Sequence, residues 1–367
     1  MKVAFDATAL LDPRTGVATF AHEVLTRLAT RDGIQVVAFA VSWRGRGRLP
    51  LLVPRGVDVM TRPMPARPLR ELWQRVDHPR IERWTGPIDV VHSPNYVVPP
   101  ARAAQVVSVH DLTCLRFPEL CTSDTRTYPT LIRRAVRRGA WVQTIPAFVD
   151  DVVEAFDAPA DRVVGVRNGV TEMVRGDPSV GRAIAGGDRY VLGLGTIEPR
   201  KDFPMLVAAF DALADDDSAL RLVVAGPDGW DADRLTDAIA AARHRDRVVR
   251  TGWVDDDQRA GLLAGATVFA YPSVYEGFGF PPLEAMAAGS PVVATAVGGV
   301  PDTVGDAALL VPAGDVGALT NRLRTVLADE TVAAALVAKG ERNLERFSWD
   351  RTVDELVALY ERAVAAR

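Results

Sequence analysis

Apolar and polar positions alternate with two different periods along this chain. "KVAFDA", "IQVVAFAV", "DVVHSP" and "AQVVSVHD" are short apolar runs rich in β-branched residues. Unbroken runs of that kind belong to strands of parallel sheets covered on both faces. Between the first two lies "VATFAHEVLTRLA", where Val17, Phe20, Val24, Leu25 and Leu28 recur at helical spacing. The later part repeats the theme with strand "YVLGLGT", helix "FPMLVAAFDALA", strand "LRLVVAG", helix "ADRLTDAIAAARH" and strand "RVVRTG". Helix "DQRAGLLAGA", strand "TVFAYPS", helix "PPLEAMAAG" and strand "PVVAT" follow. Alternating β and α units predict doubly wound parallel sheets with helices on both faces, and two such series predict two Rossmann-like α/β domains. The seam is expected in "GDPSVGRAIAGGD", residues 176–188, a stretch rich in glycine and polar residues.

The 367 residues suffice for two domains of ordinary size, and the balance of 48% apolar to 25% charged residues is that of a globular protein. No apolar run approaches the roughly 18 residues of a membrane span, and the opening residues lack a signal peptide's apolar core. Cys114 and Cys121 form neither a metal-ligand pattern nor a disulfide framework, so a reduced, cytoplasmic compartment is expected. The net charge of −4 hides an asymmetry, with 24 basic and 18 acidic residues through position 175 and 19 basic and 29 acidic after it. Halves of opposite sign suggest different tasks. The basic surplus lies between Arg44 and Arg83, interleaved with Trp43, Leu49, Leu51, Leu52 and Trp73. Such a segment suits anionic lipid headgroups, and the plainer alternative is a solvated loop beside a core helix. No nucleic-acid partner is expected.

Open α/β sheets bind ligands at the carboxyl ends of their strands, and four places there carry chemistry. In "DPRTGVATF", Gly16 opens the first helix, where unpaired amides and the helix dipole suit a phosphate. In "VVSVHDLT", His110 ends an apolar run and is placed to donate a hydrogen bond to a sugar hydroxyl or to sense a negative leaving group. In "GTIEPRKDF", Arg200 and Lys201 follow a Gly195–Thr196 turn, and only Lys2, Lys201 and Lys339 among the 43 basic residues are lysines. An arginine beside a lysine suits a diphosphate, the one binding two oxygens and the other acting as a point charge. In "YPSVYEGFGFPPLEAMAAG", Glu276 and Glu284 flank Gly277, Phe278, Gly279 and Phe280, and a helix is expected near Pro281. Both carboxylates are expected to face one cleft. "DAD", Asp231 to Asp233, reads better as a helix N-cap than as a metal motif.

These motifs together resemble the retaining nucleotide-sugar glycosyltransferases of family GT4, over nearly the whole chain. The resemblance implies the GT-B fold, two Rossmann-like domains facing across a cleft. It implies residues 1–175 as the acceptor-binding domain, 176–348 as the nucleotide-sugar domain, and 349–367 as a helix returning to the first domain. His110, Arg200, Lys201 and Glu276 take the catalytic positions. Gly16, Thr196, Gly277, Phe278, Gly279, Phe280 and Glu284 take the donor-binding ones, with Glu276 on the donor sugar and Glu284 on its ribose. Thr196 stands where many relatives carry arginine, which leaves more of the positive charge to Arg200 and Lys201. The implied reaction moves a hexose, with mannose as the first guess, from a nucleoside diphosphate sugar to an acceptor hydroxyl with retention. It implies no cofactor and no metal. The acceptor would be a glycan, lipid-linked or small molecule, and the location cytoplasmic, at or near the inner membrane face. A nucleotide-sugar 2-epimerase shares the architecture and is the alternative. A nicotinamide-dependent dehydrogenase is disfavoured, because "GLGTIE" lacks the third glycine of its fingerprint.

Overall fold

The computed structural model describes residues 1–12, 15–171 and 176–367. The chain divides into two units, Met1–Gly169 with Ser348–Arg367, and Val170–Phe347. The first contains β1 (Lys2–Asp6), β2 (Gln35–Phe39), β3 (Asp58–Met60), β4 (Val90–Ser93), β5 (Ala104–Val109), β6 (Trp141–Thr144) and β7 (Val163–Gly165). They pair in parallel in the order β3-β2-β1-β4-β5-β6-β7. The second contains β8 (Tyr190–Leu194), β9 (Arg221–Ala225), β10 (Val248–Gly252), β11 (Val268–Tyr271), β12 (Val292–Thr295) and β13 (Ala308–Val311). Their order is β10-β9-β8-β11-β12-β13, again parallel throughout. Each order reverses beside its first strand, between β1 and β4 and between β8 and β11. In doubly wound sheets a ligand crevice opens at such a reversal.

The central strands are buried residue after residue, as their unbroken apolar runs require. In the second unit Val191, Leu206, Phe210, Leu222, Val268 and Val293 belong to one core cluster, which locks the sheet to its flanking helices. The final helix, Trp349–Ala365, belongs to the first unit, capped by Ser348 and laid against the helix Gly16–Leu28. Trp349 meets the Phe20 ring edge-on at 6.0 Å, and Tyr360 places its hydroxyl 2.6 Å from His92 Nδ1. Ser108 holds His92 Nε2 at 2.8 Å, and burial, helped by His110, pushes the His92 pKa down to about 3. His92 is therefore a neutral core residue.

Two expectations change. The units meet at Gly169–Val170, ahead of the 176–188 expected, and residue 175 lies outside the described residues. The glycine-rich stretch is a helix, Pro178–Ala185, capped by Asp177 and closed by Gly186 at φ 69°. A Cβ on Gly181 would stand 2.3 Å from the Gly261 carbonyl oxygen. That glycine permits close helix packing, where composition suggested a linker. In the basic segment Leu49 and Trp73 are core residues, Trp73 donating its indole N–H to the Pro79 carbonyl at 3.1 Å. Trp43 and Leu51 are the most exposed of its large apolar residues, with Leu72 and Val76 exposed to a lesser degree.

Candidate active site

At the end of β8 the chain turns at Gly195, whose φ of 151° lies where side chains are strained. A Cβ there would lie 3.2 Å from Lys201 Cε, so the bare glycine forms one wall of the lysine's slot. Pro199–Lys201 makes a single 3-10 turn, Asp202 takes φ 45°, and the helix Phe203–Leu213 follows. Lys201 is only 8% exposed. Its Nζ donates to Glu276 Oε1 at 2.6 Å and to the Tyr271 hydroxyl at 2.8 Å, and stands 4.6 Å from the centre of the Tyr271 ring. The slot between Gly195 and the Tyr271 ring accounts for lysine in a chain that otherwise prefers arginine: it admits a slim ammonium and would exclude a broad, planar guanidinium.

Glu276, 6% exposed, sits in the loop after β11 at the centre of this cluster. Its Oε1 accepts from Lys201 and from Ser273 Oγ at 2.9 Å, and its Oε2 pairs with Arg200 Nη1 at 2.5 Å. Arg200 Nη2 also donates to Glu198 Oε1 at 2.6 Å, and Nη1 to the Tyr275 carbonyl at 3.1 Å. Burial works against the charge on Glu276, but Arg200 and Lys201 overcome it and hold the carboxyl down at about 2. Burial moves Lys201 below its ordinary value, against the pull of Glu276. The Tyr271 phenol is pushed well up by burial and by Glu276. Two cations and two carboxylates thus interlock, and an anionic ligand must compete with Glu198 and Glu276 for Arg200 and Lys201.

Glu284 sits where the sequence put it and gains a partner that the sequence did not show. It sits about one turn into the helix Phe280–Ala287, which Gly279 opens at φ 84°, and it pairs with Arg259 from the helix Asp256–Gly265. Glu276 is thus joined to the cationic pair, and Glu284 to Arg259. Phe278 turns its ring into apolar packing against Phe280 and Phe347, at 4.9 and 5.6 Å, which leaves its backbone as the part suited to a ligand. Gly277 is buried beside it, and Thr196 is exposed at the strand-end turn. Asp231 precedes the helix Ala232–Ala241 but makes no side-chain cap; it lies 3.6 Å from Arg234.

In the first unit, Thr15 caps the helix that Gly16 opens by accepting from Ala18 N at 3.2 Å, and Gly16 itself is exposed. His110 stands just past β5, its ring edge-on to Phe20 at 5.1 Å. Its Nε2 lies 2.7 Å from the Pro94 carbonyl oxygen, which can only accept, so Nε2 carries the proton. Burial lowers the pKa of His110, against the Pro94 bond and Asp111. The neutral ring therefore offers Nδ1 as an acceptor for a hydroxyl, which reverses the donor role expected for it.

Sequence reasoning missed Glu198, Arg259, Tyr271, Ser273 and the pair Gly298–Gly299. Gly299 N donates to the Glu276 carbonyl at 3.1 Å, and a Cβ on Gly298, at φ 52°, would stand 1.9 Å from that oxygen. The double glycine after the "PVVAT" strand was a usable signal, because two glycines at a strand end announce a close backbone approach.

Residues 179–343 match the family described as glycosyl transferases group 1. The chain is 26% identical to O-antigen chain mannosyltransferase B of Escherichia coli, over 98% of this chain and 99% of that one. It is 31% identical to D-inositol 3-phosphate glycosyltransferase 1 of Catenulispora acidiphila, over 95% and 91%. The structure of HepE from Anabaena, solved with UDP-glucose, superposes with a TM-score of 0.70 at 19% identity, over 100% of this chain and 99% of that one. The fold is GT-B, two Rossmann-like domains.

Proposed function

We propose that this chain, which belongs to the group 1 glycosyl transferases, moves a hexose from a nucleoside diphosphate sugar to an acceptor hydroxyl with retention of anomeric configuration. The observation that carries the reading is the buried Arg200–Lys201–Glu276 cluster at the carboxyl end of the second sheet. Negative charge gathers on the departing diphosphate in the transition state, and fixed cations already in place stabilise it without reorganising. The donor's oxygens replace carboxylate oxygens on Arg200 and Lys201, which frees Glu276 to accept from the donor sugar's hydroxyls. Glu284, beside Arg259, suits the ribose. Retention fits attack from the leaving-group face, with the diphosphate taking the acceptor's proton; His110 Nδ1 suits a sugar hydroxyl. The two cations supply the charge a metal would, so the proposed reaction needs none, and turnover should survive EDTA. Mannose is the sugar favoured by the likeness to the O-antigen chain mannosyltransferase, and the acceptor is a glycan, a lipid-linked or a small molecule, as the sequence suggests. The test is turnover with UDP-, GDP- and dTDP-hexoses after a thermal-shift screen, with the product's anomeric configuration read by NMR. An inverted product sinks the retention; free epimerised sugar without acceptor sinks the transfer.

The acceptor side of this proposal includes contact with an anionic membrane surface. No helix among the described residues is long and apolar enough to cross a membrane. Trp43 and Leu51 are 56% and 85% exposed, and the Arg46 guanidinium lies 5.6 Å from the Trp43 ring centre. Each arginine near an anionic bilayer is worth about 1 kcal/mol, an attraction that salt screens. Sedimentation with phosphatidylglycerol vesicles should occur at low salt, fall with salt, and fall again when Arg44, Arg46 and Arg48 become serine. No sedimentation at low salt removes this part of the reading.

A further inference from the structure

The spacing of Cys114 and Cys121 suggests no disulfide framework, yet the fold of the first unit brings the two together. Cys114 lies in the single helical turn Thr113–Arg116, just past β5 and His110. The Asp111 carboxylate holds the start of that turn by accepting from Thr113 N at 2.9 Å. The chain then reverses in the 3-10 turn Pro118–Leu120, whose Pro118 carbonyl accepts from Cys121 N at 3.2 Å and from Arg126 Nε at 2.9 Å. The reversal brings Cys121 back to Cys114, and its Sγ donates to the Cys114 Sγ at 3.3 Å. Both are free thiols, and both are partly exposed.

The two thiols differ in their surroundings. Burial, joined by the hydrogen bond and charge of Cys121 and the charge of Asp111, pushes the Cys114 thiol up to about 12. Cys121 heads the exposed stretch Thr122–Asp124. An oxidant from solution therefore meets Cys121 first. It then finds a second sulfur at 3.3 Å, within the roughly 3 to 3.5 Å of a near-attack geometry. An accessible cysteine poised beside a resolving one is the arrangement of redox-responsive pairs. The pair also sits beside a strand end with candidate chemistry. Cys121 leads toward the helix Tyr128–Arg137, the Tyr128 ring stacks on Tyr96 at 5.2 Å, and Tyr96 meets His110 edge-on at 6.1 Å.

We propose that Cys114 and Cys121 form a reversible dithiol–disulfide pair, oxidised by low-molecular-weight disulfides, whose bond ties the turn after His110 to the lead-in of the helix Tyr128–Arg137. The Cys121 thiolate attacks one sulfur of the small disulfide, forming a mixed disulfide and expelling one thiolate, which takes up the proton Cys121 lost. Cys121 then no longer carries a thiol or a charge that raises Cys114. Cys114 gives up its proton and attacks the Cys121 Sγ, and the second small thiolate leaves with that proton. Two protein thiols are oxidised, and one small disulfide is reduced to two thiols.

The test is incubation of the folded full chain in glutathione buffers, followed by acid quenching, alkylation, tryptic digestion and mass spectrometry. Cleavage after Arg102, Arg116 and Arg126 puts the two cysteines on separate peptides, residues 103–116 and 117–126. In excess oxidised glutathione the wild type should yield these peptides joined, at about tenfold over glutathionylated Cys121, because the second sulfur is already in place. Excess reduced glutathione should return both thiols. Cys114→Ser should stop at the mixed disulfide on Cys121, and Cys121→Ser should leave Cys114 a thiol. Wild-type cysteines that stay reduced, or that are glutathionylated without joining, overturn the proposal. So does a link that forms only in urea or only between two chains. A bond that excess reduced glutathione cannot open overturns its reversibility. The tie to the strand end is read from the His110 imidazole resonances, which should shift on oxidation of wild type and stay fixed in Cys121→Ser. Unchanged resonances overturn that coupling and leave the dithiol standing.

Discussion

The carboxyl ends of the two sheets are built from the same kind of fold and hold opposite electrostatics. At the second sheet, Arg200, Lys201, Glu198 and Glu276 are charged and interlocked within 2.5 to 2.6 Å. At the first, the polar groups favour neutrality: burial lowers the pKa of His110, and burial raises that of Asp6 despite hydrogen bonds from Thr8. The overall composition runs the other way, basic through residue 175 and acidic after it. Net charge thus describes the solvated surface of a domain, whereas the site is set by the few groups that packing removes from water. The second end suits a ligand that brings charge, and the first suits one that brings hydroxyls.

The largest effect should come from breaking the charged cluster. If Lys201 holds the departing diphosphate as proposed, Lys201→Ala should cost about 2 to 4 kcal/mol in the barrier. Lys201→Arg should not restore turnover, because a guanidinium does not fit beside Gly195 and the Tyr271 ring. Steady-state turnover alongside far-UV circular dichroism decides it; a folded Lys201→Ala with activity within twofold of wild type would remove the assignment.

The same cluster should show in acid. Glu276 has its pKa depressed from 4.5 to about 2 in the fold, so its contribution to stability is complete above 4.5 and is lost as pH falls toward 2. At 1.36 kcal/mol per unit this amounts to about 3 kcal/mol. Urea unfolding of wild type and Glu276→Gln at several pH values measures it. The variant should lose less stability than wild type between pH 4.5 and 2, and parallel losses would mean that the carboxyl is not held this way.

Glu284 offers a milder contrast, since its interaction with Arg259 lies outside the interlocked cluster. If it accepts hydrogen bonds from the ribose, Glu284→Gln should cost about 1.5 to 3 kcal/mol in binding. The loss should appear in the donor's KM more than in kcat. A variant with an unchanged KM and a lower unfolding midpoint would assign Glu284 to structure alone.

How much of this was legible beforehand follows from the range of the interactions. The parallel sheets were readable because burial on both faces leaves unbroken runs such as "AQVVSV" and "YVLGL". The positions of Arg200, Lys201 and Glu276 were readable because strand-to-helix turns locate them. Their mutual pairing was not, because Lys201 and Glu276 are 75 residues apart and meet only when β8 and β11 lie side by side. The glycines of residues 176–188 misled for a related reason. A glycine that lets two helices touch and a glycine that loosens a linker look alike in composition, and only the partner, here Gly261, tells them apart. The proton on His110 was likewise beyond reach, since the Pro94 carbonyl that fixes it lies 16 residues away across the sheet edge.

That proton supports the smallest and most diagnostic prediction. If His110 acts as a neutral acceptor at Nδ1, it contributes one uncharged hydrogen bond to the acceptor or donor sugar, worth about 0.5 to 1.5 kcal/mol. His110→Gln should therefore lower kcat/KM by roughly three- to tenfold, far less than the loss expected at Lys201. Because burial lowers its pKa below 6.5, the ring is neutral at pH 7 and His110 should add no ionisation to the rate profile above pH 6.5. Profiles of kcat/KM from pH 5.5 to 8.5 for wild type and variant measure this. An inflection near pH 7 in wild type that disappears in His110→Gln would show a titrating imidazole at work. The electrostatic contrast between the two strand ends would then be lost, since the first sheet too would place a charge against its ligand.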